Sequence, residues 1–484
     1  MKNKYLIFYF YIFLFCYSYA FSQNYQDFSI SHTGVCYDNV NILEKRVKIQ
    51  NPIPINYDNK EKLITFEQTI PRYMKIAGYW ISKIEEPDKV ILTKKEIKKL
   101  NNEIYNLHLG ISKLKNHSGK VKQSRLEETF LTLLNLFIKK NLTDINGEPI
   151  LPEFFIDLYG TIDIPQQDVS NVRYAITTAY NDVRLFPTDQ KIISLNSVTK
   201  IDRLQEESID IGTPVIVLCQ TTDSLWSFVT TETEEGWIKT ENIAFTNKKT
   251  FNKWIDCKKV VITDSKADIF LDKEKTDFLE YARMGAKFPY ISKKGNTTIC
   301  IKIPIRDDDG FLKITKGYLD YIEANIGFLK YTQRNALNLA FNQINSPYGW
   351  GGADGEQDCS GYLGQIYSCF GIVLPETSVQ KIKCGTVIKL NKQDDDLIKN
   401  SAIIDKAMAG ISFIYLHGHI MLYIGEENDK PYVIHSVLGL KSYNEKNEKA
   451  INYINKTIVS DLEIGDEFAG NSLIDRTSKF NIIK

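Results

Sequence analysis

No excess of charge of either sign marks this chain: 60 lysines and arginines face 60 aspartates and glutamates across 484 residues. Without a basic surplus there is no electrostatic footprint for nucleic acid, and no such partner is expected. Cysteine is sparse at 8 residues, and no two of them form a CxxC pair. That spacing excludes a zinc ribbon and falls short of a disulfide scaffold. Histidine is sparser still, at 6. No phosphate-binding loop, dinucleotide fingerprint or HExxH motif occurs, so no cofactor is implied. Beyond the N-terminus no run is long and apolar enough to span a bilayer. What remains is ordinary in bulk, with 43% hydrophobic and 25% charged residues. The length exceeds a single core and implies roughly two to four domains.

The N-terminus is the one strongly apolar stretch. Lys2 and Lys4 precede the run Tyr5 to Phe15, and the small residues Ser18, Ala20 and Ser22 follow. This is the pattern of a signal peptide over residues 1–22. An uncleaved anchor is the alternative, but the run is short for a span. The expected location is therefore periplasmic or extracellular, with no stable membrane insertion after cleavage. Removing Cys16 leaves Cys36, Cys219, Cys257, Cys300, Cys359, Cys369 and Cys384. The number is odd, so at least one thiol stays unpaired in a monomer, the expected state.

Residues 23–165 read as a largely helical N-terminal segment, polar and irregular at first. Thr93-x-x-Glu96 is a capping box, and Leu92 is placed to staple onto Ile97. A second box, Ser124-x-x-Glu127, opens a run with Leu126, Phe130, Leu133, Leu134 and Phe137 at helical spacing. The period then changes to 2. Residues 213–245 read as three strands, with turns at Thr222-Asp223-Ser224 and Glu234-Glu235-Gly236. Ile299, Ile301, Ile303 and Ile305 alternate strictly, and Asp307 to Gly310 makes the turn after them. Two small all-β barrels are expected, over 166–252 and 253–325, followed by an α+β domain over 326–484.

The chemistry gathers in "YGWGGADGEQDCSG", residues 348–361. Leu363, Ile366 and Phe370 fall on one helical face, and Gly371 stops it. Cys359 thus sits in the first turn of a helix, with Asp358 as its N-cap. The helix dipole and a nearby imidazolium would both favour the thiolate. Asp358 opposes them unless its carboxylate points away, towards a substrate group. A cysteine nucleophile needs a base, and three histidines follow: His417, His419 and His435. His417 and His419 lie two apart in "FIYLHGHIMLYIG", read as one strand with both on one face. Pairing that strand with "YVIHSV" places His419 opposite His435, within about two residues. His419 can then take the thiol proton while His435 orients its ring. A structural role is the alternative for each strand histidine, and the one preferred for His417. The three histidines lack a carboxylate partner, so no metal is assigned. Tyr348 is placed to donate its hydroxyl to a tetrahedral oxyanion beside the Cys359 backbone N–H.

In this order, "YGWGG", "DCSG", "GHIMLYIG" and "IHS" resemble the motifs of the NlpC-type bacterial cell-wall cysteine peptidases. The resemblance implies a reduced papain-like C-terminal catalytic domain, with Cys359 as nucleophile, His419 as base and His435 as third member. Upstream, "ITTAYNDVRLFPTD" and "LWSFVTTETEEGWIKTENIA" resemble the first SH3-like domain of a multidomain branch. In that branch two SH3-like barrels and a helical stabilising segment precede the peptidase. The implied activity is γ-D-glutamyl-L-diamino-acid endopeptidase, acting on peptidoglycan stem peptides. Some relatives require the free amine of the N-terminal L-Ala. Asp358 could pair with that ammonium, while Ser360 and Ser378 hydrogen-bond the peptide. Trp226 and Trp237 are candidates for the SH3-like wall of the site. Met421 departs from the small residue many relatives carry two positions after the base. Hydrolysis of intact wall, or wall binding without catalysis, are the rival functions.

Overall fold

The computed structural model describes residues 70–195, 197, 199, 201–295, 297–391, 393–443, 449–465 and 472–484. The signal-peptide stretch, the polar segment after it, Cys16 and Cys36 lie outside the described residues.

The N-terminal helices form where the capping chemistry predicts, with one exception. Thr93 caps the helix Lys94–Asn106, its side chain accepting from Glu96 N while Glu96 reaches back to Thr93 N. Ile97, Leu100 and Ile104 lie on the buried face of this helix and enter the core of the C-terminal domain. Ser124 does not cap its helix. The helix Gln123–Phe137 starts two residues earlier than that cap implies, after Lys122, because the strand Lys120–Lys122 runs straight into it. Asp168 O takes the Gln123 N–H there, so no side-chain cap is needed. Leu126, Phe130, Leu133 and Phe137 are buried as the spacing predicts.

Among the described residues, three large antiparallel sheets and two two-stranded ones form. The first large sheet has eight strands. Its ladder runs from Ile243–Thr246 through Arg173–Thr177, Pro214–Thr221, Trp226–Thr230, Glu235–Lys239 and Asn181–Arg184 to Gln205–Ile209, and the eighth strand, Ile162–Asp163, pairs off it with Pro214–Thr221. The second has seven, from Phe278–Arg283 to Ala324–Ile326. The end strands of each ladder do not pair, so these are open sheets and not closed barrels. Pairing of Trp226↔Lys239 through Thr230↔Glu235 sets the second turn at residues 231–234. Glu235 and Gly236 are strand residues, not turn residues, because Thr231 closes the turn by accepting from Thr233 N and Glu234 N. Ile299, Ile301 and Ile303 are fully buried.

The C-terminal domain has a six-stranded sheet ordered Thr386–Lys389, Thr477–Ile482, Ser412–Leu416, His419–Glu427, Lys430–Tyr443, Lys449–Asp461. The helices Gln333–Asn342 and Cys359–Ser368 share its main core, where Leu337, Leu363, Ile366, Phe370, Ile420 and Leu422 are buried together. The N-terminal segment is part of this domain's core. Trp80 is fully buried and packs on Tyr432, with ring centroids 5.3 Å apart. Leu92 bridges to Tyr331, and Arg334 pairs with Asp88 at 2.7 Å. Among the described residues, no helix is long and apolar enough to cross a membrane.

Candidate active site

The loop before Cys359 is held by the neighbouring sheets. Gly352 has φ 75°, and a Cβ there would lie 1.9 Å from Ser208 Oγ. Only glycine tolerates both that dihedral and that approach. Its carbonyl accepts from Tyr180 Oη at 2.7 Å and Ser208 Oγ at 3.1 Å. Arg283 donates to Ser208 Oγ at 2.6 Å and pairs with Asp210 at 3.0 Å. The glycine-rich stretch is therefore the seam between the catalytic domain and both upstream sheets.

Asp358 caps the Cys359 helix as predicted. Its Oδ1 accepts from Ser360 N at 2.8 Å, Gly361 N at 2.9 Å and Ser360 Oγ at 2.9 Å. Gly351 N reaches Oδ2 at 3.4 Å. One carbonyl links three of the motifs: Gln357 O accepts from Gly349 N at 3.1 Å and from Ser436 Oγ at 2.9 Å. Ser436 follows His435, so this bond ties the histidine strand to the loop before Cys359.

The histidines are arranged differently from the sequence reading. Residues 412–427 are not one strand. The chain turns at His417–Gly418, where Gly418 has φ 84°, and Leu416 pairs with His419. His417 is an exposed turn residue and shares no strand face with His419. The next turn falls at Asn428–Asp429, both with positive φ, and a bulge follows at Gly425. Leu422 pairs with Ile434, so His419 stands diagonal to His435 instead of directly opposite. Their rings still meet. His419 Nε2 lies 2.7 Å from His435 Nδ1, and His435 Nε2 lies 3.1 Å from Ser460 Oγ. Ser460 comes from the strand Lys449–Asp461, which carried no motif in the sequence.

A cavity of about 650 Å³ brings the predicted residues together. Tyr348, Asp358, Cys359, Ser360, Ser378 and His419 line it, and His435 lies fully buried behind His419. Trp226 and Trp237 are core residues of the first sheet, packed with Phe130 and Phe228, and do not line the cavity. That wall comes instead from Arg184, Glu206 and Glu234. Met421 lies two residues past His419 on the same face of the sheet, but it is fully buried in the second core of the domain and does not line the cavity.

The electrostatics correct one expectation. Burial, with Asp358 adding to it, pushes the Cys359 thiol up to about 12. The N–H groups of Ile420 and Ser360 and the Lys381 charge act the other way without prevailing. Burial, followed by His435 and Arg476, holds His419 well below 6.5, and burial alone takes His435 down to about 3. Burial thus favours the neutral thiol and the neutral imidazole in the cavity that both line. A helix start cannot offset the loss of water around a thiol that is 8% exposed. The Tyr348 hydroxyl is kept protonated by burial, then by Asp358 and Cys359.

The sequence reading missed the acidic wall. Glu207 and Glu234 each lie within hydrogen-bond reach of the Glu376 carboxyl. Burial and mutual repulsion raise all three, Glu234 to about 8, and burial raises Glu206 to about 7. These residues come from three separate stretches, and no motif spacing connects them.

Residues 345–437 match the NlpC/P60 family, and residues 196–239 match the SH3 domain of SH3b1 type. The C-terminal domain is an NlpC/P60 domain. Members of this family are generally cysteine peptidases, and the pairing with an SH3b domain is that of a cell-wall hydrolase. The fold likeness extends further than either match. A solved structure described as a novel NlpC/P60 endopeptidase from Photobacterium damselae subsp. piscicida superposes with a TM-score of 0.69 at 20% identity. It covers 84% of this chain and 96% of that one. An NlpC/P60 family protein from Bacillus cereus ATCC 10987 aligns with a TM-score of 0.44 at 15% identity, over 64% of this chain and 98% of that one. At that score the second likeness supports no argument. No curated protein matches the sequence.

Proposed function

We propose that this protein is an exported cysteine endopeptidase that cleaves the γ-D-glutamyl–diamino acid bond of peptidoglycan stem peptides carrying a free N-terminal L-Ala. In this reading residues 1–22 are a signal peptide and 23–165 a stabilising segment. Residues 166–252 and 253–325 are SH3-like domains, and 326–484 the peptidase.

Cys359 Sγ attacks the γ-amide carbonyl while His419 Nδ1 takes the thiol proton. Because the resting pair is neutral, proton transfer accompanies attack. The Cys359 backbone N–H and the Tyr348 hydroxyl hold the oxyanion. His419 then gives the proton to the leaving amine. Water, activated by the same ring, releases the acyl-enzyme. His435 accepts from His419 Nε2–H and donates through its own Nε2–H to Ser460 Oγ. That tautomer leaves His419 Nδ1 unprotonated and able to act as base.

The observation that supports this reading best is the acidic wall. Asp358, Glu234 and Glu376 line the same cavity as Cys359. The Glu234 and Glu376 carboxyls, held towards their neutral form by burial, ionise when an ammonium enters, because an opposite charge favours their anionic form. A free L-Ala amine supplies that charge, and Ser360 and Ser378 face the short peptide behind it. The test is digestion of defined stem peptides with the L-Ala amine free or acetylated, read by mass spectrometry. Cleavage of the γ-bond in the free peptide alone is expected. Equal cleavage of both, or release of fragments only from whole sacculi, would remove the amine requirement.

A further inference from the structure

The cavity is unlike at its two ends. The carboxylates come from the SH3b sheet and from the segment before Ser378, on the side of the Cys359 helix. The opposite side has no acid among its described cavity-lining residues. There the strands Lys430–Tyr443 and Lys449–Asp461 continue well past His435 as a long hairpin. Leu438, Leu440 and Ile451 of this hairpin line the cavity, and so does Arg476.

Strand register fixes where Arg476 stands. It ends the short helix Leu473–Arg476, immediately before Thr477. Thr477 pairs with Leu416, and Leu416 pairs with His419. Two strand spacings, about 10 Å, therefore separate the backbones at this level. Arg476 lies beyond the Ser412–Leu416 strand on one side of the His419 strand, and the apolar hairpin is next to that strand on the other side. Its charge is felt at the His419 ring.

Chemistry decides which part of a substrate lies here. The group that protonates the leaving amine must reach the amide nitrogen, so the released residue extends past His419. On the endopeptidase reading above, that residue is the diamino acid. We propose that Arg476 and the hairpin wall form a leaving-group subsite that pairs with a carboxylate of the released diamino acid. The guanidinium fork matches a carboxylate, and the apolar wall takes the methylenes of the side chain. A diamino acid with a second carboxylate, of the diaminopimelate type, fits this end. Lysine would bring an ammonium towards Arg476 and be disfavoured.

The carboxylate could be the one on the side chain or the one on the main chain, and matched peptides separate the two. The full-length protein is given L-Ala-γ-D-Glu-X, where X is free diaminopimelate, its side-chain amide, its main-chain amide or lysine. Amidating the recognised carboxylate should lower kcat/KM about tenfold to a hundredfold, as loss of a charge-assisted hydrogen bond does. Arg476→Gln should erase that difference, and Arg476→Lys should keep part of it. Equal kcat/KM of the wild-type protein for all four peptides overturns the subsite while leaving the endopeptidase reading intact. Retention of the wild-type preference in Arg476→Gln also overturns it. Should that variant not fold, the wild-type ranking of the peptides decides. Failure to cleave the γ-bond in any of them removes the endopeptidase reading and the subsite with it.

Discussion

His419 and His435 touch through ring nitrogens 2.7 Å apart although they are diagonal, not opposite, in their hairpin. The bulge at Gly425 shifts the register, and two imidazoles on one face still span the diagonal. The contact fixes the orientation of the His419 ring. Each expectation below depends on this pair, on the thiol it serves or on the seam that holds them.

Replacing Cys359 or His419 with alanine should lower kcat/KM on a γ-D-glutamyl peptide by about 10⁴-fold or more, with an unchanged circular dichroism spectrum. His435→Ala should cost less, because it orients the base without touching the substrate. Turnover by Cys359→Ala would falsify the nucleophile assignment.

Ser460→Ala leaves the buried His435 Nε2–H without its acceptor. A loss of about 1–3 kcal/mol in stability is expected, together with a fall in kcat larger than any change in KM. Ser460→Thr should restore most of both. If chemical denaturation and kinetics of Ser460→Ala match the wild type, the relay ends at His435.

The pH dependence follows from the neutral resting pair. His419 lies well below 6.5, so its base form persists as pH falls through 6.5, and the acid limb of activity should appear only below that value. With the thiol near 12, the thiolate fraction grows throughout the neutral and alkaline range. Alkylation of Cys359 by iodoacetamide should therefore accelerate about tenfold per pH unit. A rate that is flat across neutral pH would mean a preformed ion pair instead.

Glu234 makes the fold sensitive to alkali. Its carboxyl stays protonated in the folded chain up to about 8, against an ordinary value of 4.5. Between those values the unfolded chain has already released the proton, so stability declines as pH rises. Glu234→Gln cannot ionise. The melting temperature of this variant should gain on the wild type from about pH 4.5 to about pH 8 and no further. A constant difference across that window would show that Glu234 titrates normally in the fold.

Gly352→Ala should disturb the seam, since its Cβ would meet Ser208 Oγ and its φ is left-handed. A loss of about 1–3 kcal/mol is expected, with increased proteolysis between the SH3b sheet and the catalytic domain. Wild-type resistance to a trypsin time course would contradict this view of the loop.

Several features could be read before any fold was known. The Thr93 box, the Leu363–Ile366–Phe370 face and the alternating isoleucines at 299–303 obey local rules, and they formed as those rules require. Other readings failed where a distant partner intervened. Lys122 runs into its helix from a strand, so Ser124 lost its cap. Gly418 broke what looked like one strand, so His417 and His419 parted. Burial acts on the thiol against the helix start, a balance that no local rule weighs.

The sequence by itself determined the residues proposed to carry the chemistry, their order and the helix that presents Cys359, because capping and periodicity act over a few neighbours. Tertiary structure alone decided what surrounds them. Glu234, Glu376, Ser460 and Arg476 come from stretches with no shared motif, and only packing brings the first two and Arg476 to one cavity and Ser460 to the buried His435. Desolvation and charge act through space, so the protonation state of the site was never a local property of the chain.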